Sequence, residues 1–209
     1  MTGTRTAIVE AAAAATPLAF VYFSGWAYLS AYLGKFDIDA TQVDVSLATV
    51  LVYAFVPLNS WPVLLTIAIL AVLYLLSVFV RPFAKPARRA GLVLMLAALV
   101  GLLFVVRYSA DAAASEMASL VWLGQKSITN AVVKPPEKTD PSYEEYARCR
   151  DTRRLRQILG TTSTMYLLCR NDVLPCWHAV LFAVRNDGTI AYSAERRRNN
   201  DGSMASCKT

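Results

Sequence analysis

The side chains best suited to chemistry lie in the last third of this 209-residue chain: four cysteines, Cys149, Cys169, Cys176 and Cys207, and one histidine, His178. Four groups drawn from Cys149, Cys169, Cys176 and His178 would satisfy tetrahedral zinc. Yet the tight Cys176-Trp177-His178 spacing departs from the usual ligand spacing of structural sites, so disulfides are the favoured reading and no metal or cofactor is expected. A thiol enzyme using Cys169 or Cys176 is the catalytic alternative, and His178 is weighed as a base for Cys176 alone. On one strand, residues i and i+2 stand about 7 Å apart, far for a direct proton transfer between Cys176 and His178. No nucleophile elbow, paired carboxylates or phosphate-cradling glycine loop accompanies them, so a non-enzymatic protein is expected.

Disulfides need an oxidising compartment, and all four cysteines fall outside the apolar half of the chain. Four cysteines allow three pairings. If strands flank a six-residue connection at 170–175, Cys169 and Cys176 face one another at a Cα separation of ~4.5–5.5 Å, inside the range a disulfide tolerates. Cys149 then pairs with Cys207 by elimination. A shifted register would instead join Cys149 to Cys169 or to Cys176.

The elements that would hold these residues follow from the local pattern. Ser142-Tyr-Glu-Glu145 reads as a capping box opening a helix that runs to about Arg156. Thr161–Cys169, Cys176–Val184 and Thr189–Ala194 read as three strands of an antiparallel meander, the last two joined at Asn186-Asp187-Gly188. Together they make a small α+β domain over 142–209. Arginines 148, 150, 153, 154 and 156 on the helix are offset by Glu144, Glu145 and Asp151. No recognition motif accompanies them, so a solvated face is expected and nucleic acid is not an expected partner.

The first half is of a different kind. Overall 56 % of residues are apolar and 17 % charged, well short of the quarter usual in soluble domains, with a mean hydropathy of +0.39. Residues 1–107 hold 7 Lys/Arg and 4 Asp/Glu, whereas 108–209 hold 14 and 11. Three uncharged runs, 12–33, 61–80 and 90–106, approach or reach the ~20 residues needed to cross a bilayer. The fold class expected is therefore an α-helical membrane protein with about three transmembrane helices in 1–107. An amphipathic stalk and a Pro-rich linker over 108–141 would carry the C-terminal α+β domain. The first run is too long for a cleaved signal and ends in Trp26, Tyr28 and Tyr32, rings suited to a membrane–water boundary. Val45–Leu58 is short for a span and reads as interfacial or re-entrant, and Pro57 and Pro62 should break the chain at Asn59-Ser60.

Between the second and third runs stand Arg81, Lys85, Arg88 and Arg89 without an acidic residue. Short loops rich in Lys and Arg stay on the cytoplasmic side, which sends the C-terminal half outward whether or not 45–58 crosses. The expectation is a bacterial inner-membrane protein whose periplasmic domain binds a protein or ligand, as an immunity protein, an envelope-complex subunit or a sensor would. The bilayer, an unidentified protein and further copies of the chain are the expected partners. A membrane-anchored thiol enzyme using Cys169 or Cys176 and a channel-like oligomer are the alternatives.

Overall fold

A computed structural model describes residues 2–79, 85–129, 131–135, 140–170 and 178–197. Four helices come first: α1 (Thr2–Gly34), α2 (Leu47–Leu58), α3 (Trp61–Phe79) and α4 (Lys85–Trp122). A fifth, α5 (Pro141–Asp151), precedes β1 (Leu155–Gly160), β2 (Thr164–Arg170), β3 (His178–Arg185) and β4 (Ile190–Arg197). The chain divides into two compact units. One holds α1 up to Ala31 together with Leu47–Ala114; the other joins Tyr32–Ser46 to the described residues from Ser115 onward.

In the first unit the helices carry long apolar runs, and two of their hydroxyls are satisfied locally. Ser24 and Ser30 donate back to the carbonyls of Phe20 and Trp26 at 2.8 and 2.7 Å, which removes the cost of a lone hydroxyl in apolar surroundings. The chain does break at Asn59-Ser60: α2 and α3 are bent by 82° there, and the Ser60 hydroxyl closes the end of α2 on the Pro57 carbonyl at 2.6 Å. Among the described residues one helix is long and apolar enough to cross a membrane, Ala97–Trp122 within α4, and the bent α2–α3 pair qualifies if it is taken as one broken span.

The second unit is built on an antiparallel sheet in the order β1-β2-β3-β4. It has four strands where the sequence pattern predicts three. The extra one, β1, lies where a helix is expected to continue: α5 ends at Asp151, and Arg153 takes φ 57°, a left-handed conformation that redirects the backbone into the strand. The start of α5 also differs from expectation. Asp140 is the cap, accepting from Ser142 N at 2.9 Å. Pro141 takes the first turn, where its missing N–H costs nothing.

Buried positions in β2 and β3 run continuously rather than alternating, because both faces of the sheet are covered. One face packs Leu155, Leu167, Cys169, Val180 and Phe182 against Tyr146 and Cys149 of α5, with the Tyr146 and Phe182 rings edge to face at 5.9 Å. Along the sheet, the Tyr32 hydroxyl meets the Ile158 carbonyl at 3.3 Å, and Arg196 Nε donates to the Phe36 carbonyl at 3.1 Å. Phe36 in turn stacks on Trp122 at 6.1 Å. Residues on either side of the first unit's helices thus belong to the same unit as the sheet.

Candidate functional site

The cysteines give the clearest result. Cys149 of α5 is bonded to Cys169 of β2, with the Cα atoms 5.8 Å apart, which excludes the predicted Cys169–Cys176 pair and, with it, Cys149–Cys207. The cause is register. Cys169 pairs across the sheet with Val180 and Arg170 with Ala179, so β3 enters the sheet later than a six-residue connection would bring it. The side chain of Cys169 then points to the face that α5 covers, where Cys149 is fully buried. Cys176 and Cys207 lie outside the described residues. The bond takes two of the four groups weighed as zinc ligands, since a disulfide sulfur is no thiolate donor.

Around this bond the geometry is that of a scaffold. The Tyr146 hydroxyl donates to the Ala131 carbonyl, tying the chain that precedes α5 to the helix. Burial pushes the phenol pKa upward, outweighing the nearby Arg150, so Tyr146 stays a neutral donor. Arg156 is 6 % exposed, and its guanidinium donates to the carbonyls of Gly124 (2.9 and 3.2 Å), Arg153 (2.9 Å) and Leu155 (2.7 Å). It therefore closes the C-terminal end of α4, where a cation also meets the negative end of the helix dipole. Burial, and after it the neighbouring Arg170, pull its pKa down. Gly124 is required at this contact: its φ is +75°, and a Cβ there would lie 2.5 Å from Arg170 Nε.

His178 is at the start of β3, its Nε2 3.5 Å from a Glu195 carboxylate oxygen of β4. The pairing is with an acid on a neighbouring strand; Cys176, the thiol weighed as its partner, lies outside the described residues. Two adjoining clefts run beside α5 and share Glu145 and Val180. One, of about 280 Å³, is lined by Ser142, Glu145, Ser193 and Glu195 among others. In it the Ser142 and Ser193 hydroxyls lie 3.1 Å apart. The other, of about 130 Å³, presents Arg148, Arg154, Arg170 and His178 beside Cys169. Hydroxyls and carboxylates on one side and guanidinium groups on the other can hydrogen-bond both the donors and the acceptors of a peptide-like ligand.

Among the described residues no group of three or more His, Cys, Asp or Glu could hold a metal ion. Sequence reasoning singled out Cys149, Cys169 and His178 but missed Arg156. Nothing local in Leu155-Arg-Gln-Ile158 marks that arginine as buried, and it reads as one more cation on a solvated helix face. Comparison with protein-family models, with curated proteins and with solved structures finds no match, so the site is read from its own residues.

Proposed function

We propose that this is a non-enzymatic integral protein of a bacterial inner membrane that presents its disulfide-tied sheet domain to a protein or peptide ligand in the periplasm. The observation that carries the reading is the buried Cys149–Cys169 bond in the unit that follows α4, since such bonds persist in oxidising compartments. The basic stretch Arg81–Arg89 supports the same orientation from the opposite end of α4. The adjoining clefts of contrasting charge beside α5 offer a surface that suits such a ligand.

Reporter fusions test the orientation. A periplasm-active phosphatase should be silent when fused after Lys85 and active when fused after Asp140; the reverse result overturns it. Photo-crosslinking from position 193 in native membranes tests the ligand: a discrete adduct is expected, and its absence at 193 and 145 alike removes the binding role.

A thiol-enzyme reading has one observation in its favour, the arginines lining the cleft that Cys169 reaches, because nearby cations lower a thiol pKa. Under that reading Cys149→Ala traps a mixed disulfide with a substrate on Cys169.

A further inference from the structure

We propose that α2 does not cross the membrane but lies in its plane on the side of the sheet domain, with Leu47, Val52, Phe55 and Val56 set into the boundary between lipid headgroups and acyl chains. The inference rests on the membrane reading above and fixes what that reading leaves open, the occupant of the exposed face of α2.

The first argument is one of parity. Tyr32 and Phe36 hydrogen-bond to Ile158 and Arg196 of the sheet, so Tyr32–Ser46 and the described residues that follow α4 lie on one side of the bilayer. Between Ser46 and the end of α4 the chain must then cross an even number of times. α4 accounts for one crossing, which leaves one for the residues before it. The 19 residues of α3 extend about 28 Å at 1.5 Å per residue, close to the full hydrocarbon thickness. The 12 residues of α2 reach about 18 Å and have no crossing left to make.

Geometry and surface agree. The 82° bend at Asn59-Ser60 sets α2 nearly flat when α3 stands across the bilayer. α2 buries a narrow face of small and branched residues, Val50, Ala54 and Pro57. A Cβ on Gly25 of α1 would lie 1.9 Å from the Val50 carbonyl oxygen, so the two backbones are in direct contact. The opposite face carries Val52 and Phe55 at 67 % and 70 % exposure, and the whole run from Val45 to Val80 holds no charge. Water is a poor neighbour for so continuous an apolar strip, and lipid is a good one. In-plane helices ordinarily turn a charged face to water; α2 turns its second face to α1 instead. Asp44 before the helix and Asn59-Ser60 after it keep its ends polar. Exposed Trp61, at the first position of α3, is of the type enriched where hydrocarbon meets water.

The test uses the full-length chain in lipid vesicles. A ketone-bearing amino acid at position 55, and separately at 69, is coupled to a nitroxide, which leaves every cysteine untouched. Collision with oxygen and with a water-soluble nickel chelate then gives depth. Position 55 is expected ~5–10 Å below the phosphates and position 69 near the bilayer centre. Position 55 as deep as 69, or in water while 69 is deep, overturns the in-plane helix. Both positions in water overturn the membrane reading itself and the inference with it. The same amino acid at 59 and 162, treated with an impermeant hydroxylamine probe, reports sidedness. Both should react from one side, and reaction from opposite sides shows that α2 crosses.

Discussion

The two compact units bury different things. In the sheet unit the fully buried positions are large, Tyr146, Phe182, Leu155 and Leu167 among them, and arginines occupy much of the margin. In the helical unit many of the largest side chains face outward: Phe55, Trp61, Phe104 and Tyr108 are each exposed, while Ser24, Ala54, Ala110 and Ala114 are fully enclosed. Tyr28, Leu29, Val50 and Val63 are among the larger residues that do turn inward there. Removing apolar area from water drives the sheet unit together. The helical unit associates where small residues let backbones approach, as Gly25 does at Val50, which is the packing expected of helices in lipid under the function proposed above.

Truncations separate the units most sharply. Phe182→Ala empties a site in contact with Tyr146 and should cost about 3–5 kcal/mol, read as a lowered unfolding midpoint of the sheet unit. Phe104→Ala, at an exposed position of α4, should stay within about 0.5 kcal/mol in the same measurement. Equal losses would erase the contrast. Next in size is the disulfide: Cys149→Ala with Cys169→Ala opens a link between residues 20 apart in sequence. Loop-closure entropy assigns that about 3 kcal/mol. Thermal melts with and without reductant should show the loss in the wild type and none in the double variant.

Gly25→Leu should separate α1 from α2, since even a Cβ meets the Val50 backbone. Overpacking of this kind costs about 1–3 kcal/mol, read as faster proteolysis at the α2–α3 break with the sheet unit's melting unchanged. The smallest effect is one of pH. The Asp187 side chain accepts from the Thr189 hydroxyl and N–H at 2.6 and 2.9 Å, and these bonds hold its carboxyl below the usual carboxylate range. A depressed pKa means that the turn is stabilised above about pH 4 and loses that support as pH falls toward the folded-state value. The protection factors of the Gly188 and Thr189 amides, corrected for intrinsic exchange, should fall on acidification in the wild type and be low at every pH in Asp187→Ala.

Features set by neighbours in sequence were legible without coordinates. The Asn186-Asp187-Gly188 turn, the break between Pro57 and Pro62 and the runs that became β2 and β3 all follow from local chemistry. Features set by distant contacts were not. β1 hides in Arg153-Arg154-Leu155-Arg156, which reads as more helix because arginine is a good helix former; only the positive φ at Arg153 diverts it. The disulfide partner turned on how long the chain runs before β3 joins the sheet, and several register choices fit one sequence. Nothing local marks Tyr32 and Phe36 as residues that will meet Ile158 and Arg196.

That last pairing has a consequence for the order of manufacture. The sheet unit is assembled from two pieces of chain, and the first leaves the ribosome long before the second. About 150 residues separate Ser46 from Arg197, so at ~5–20 residues per second the early piece waits roughly 10–30 s for its counterpart. During that interval Phe36 and Val43, both buried in the finished fold, have nothing to pack against. The newborn chain thus carries a timed vulnerability, and any factor that shields the segment 32–46 while the rest of the chain is being made would raise the yield of finished protein without touching its final stability.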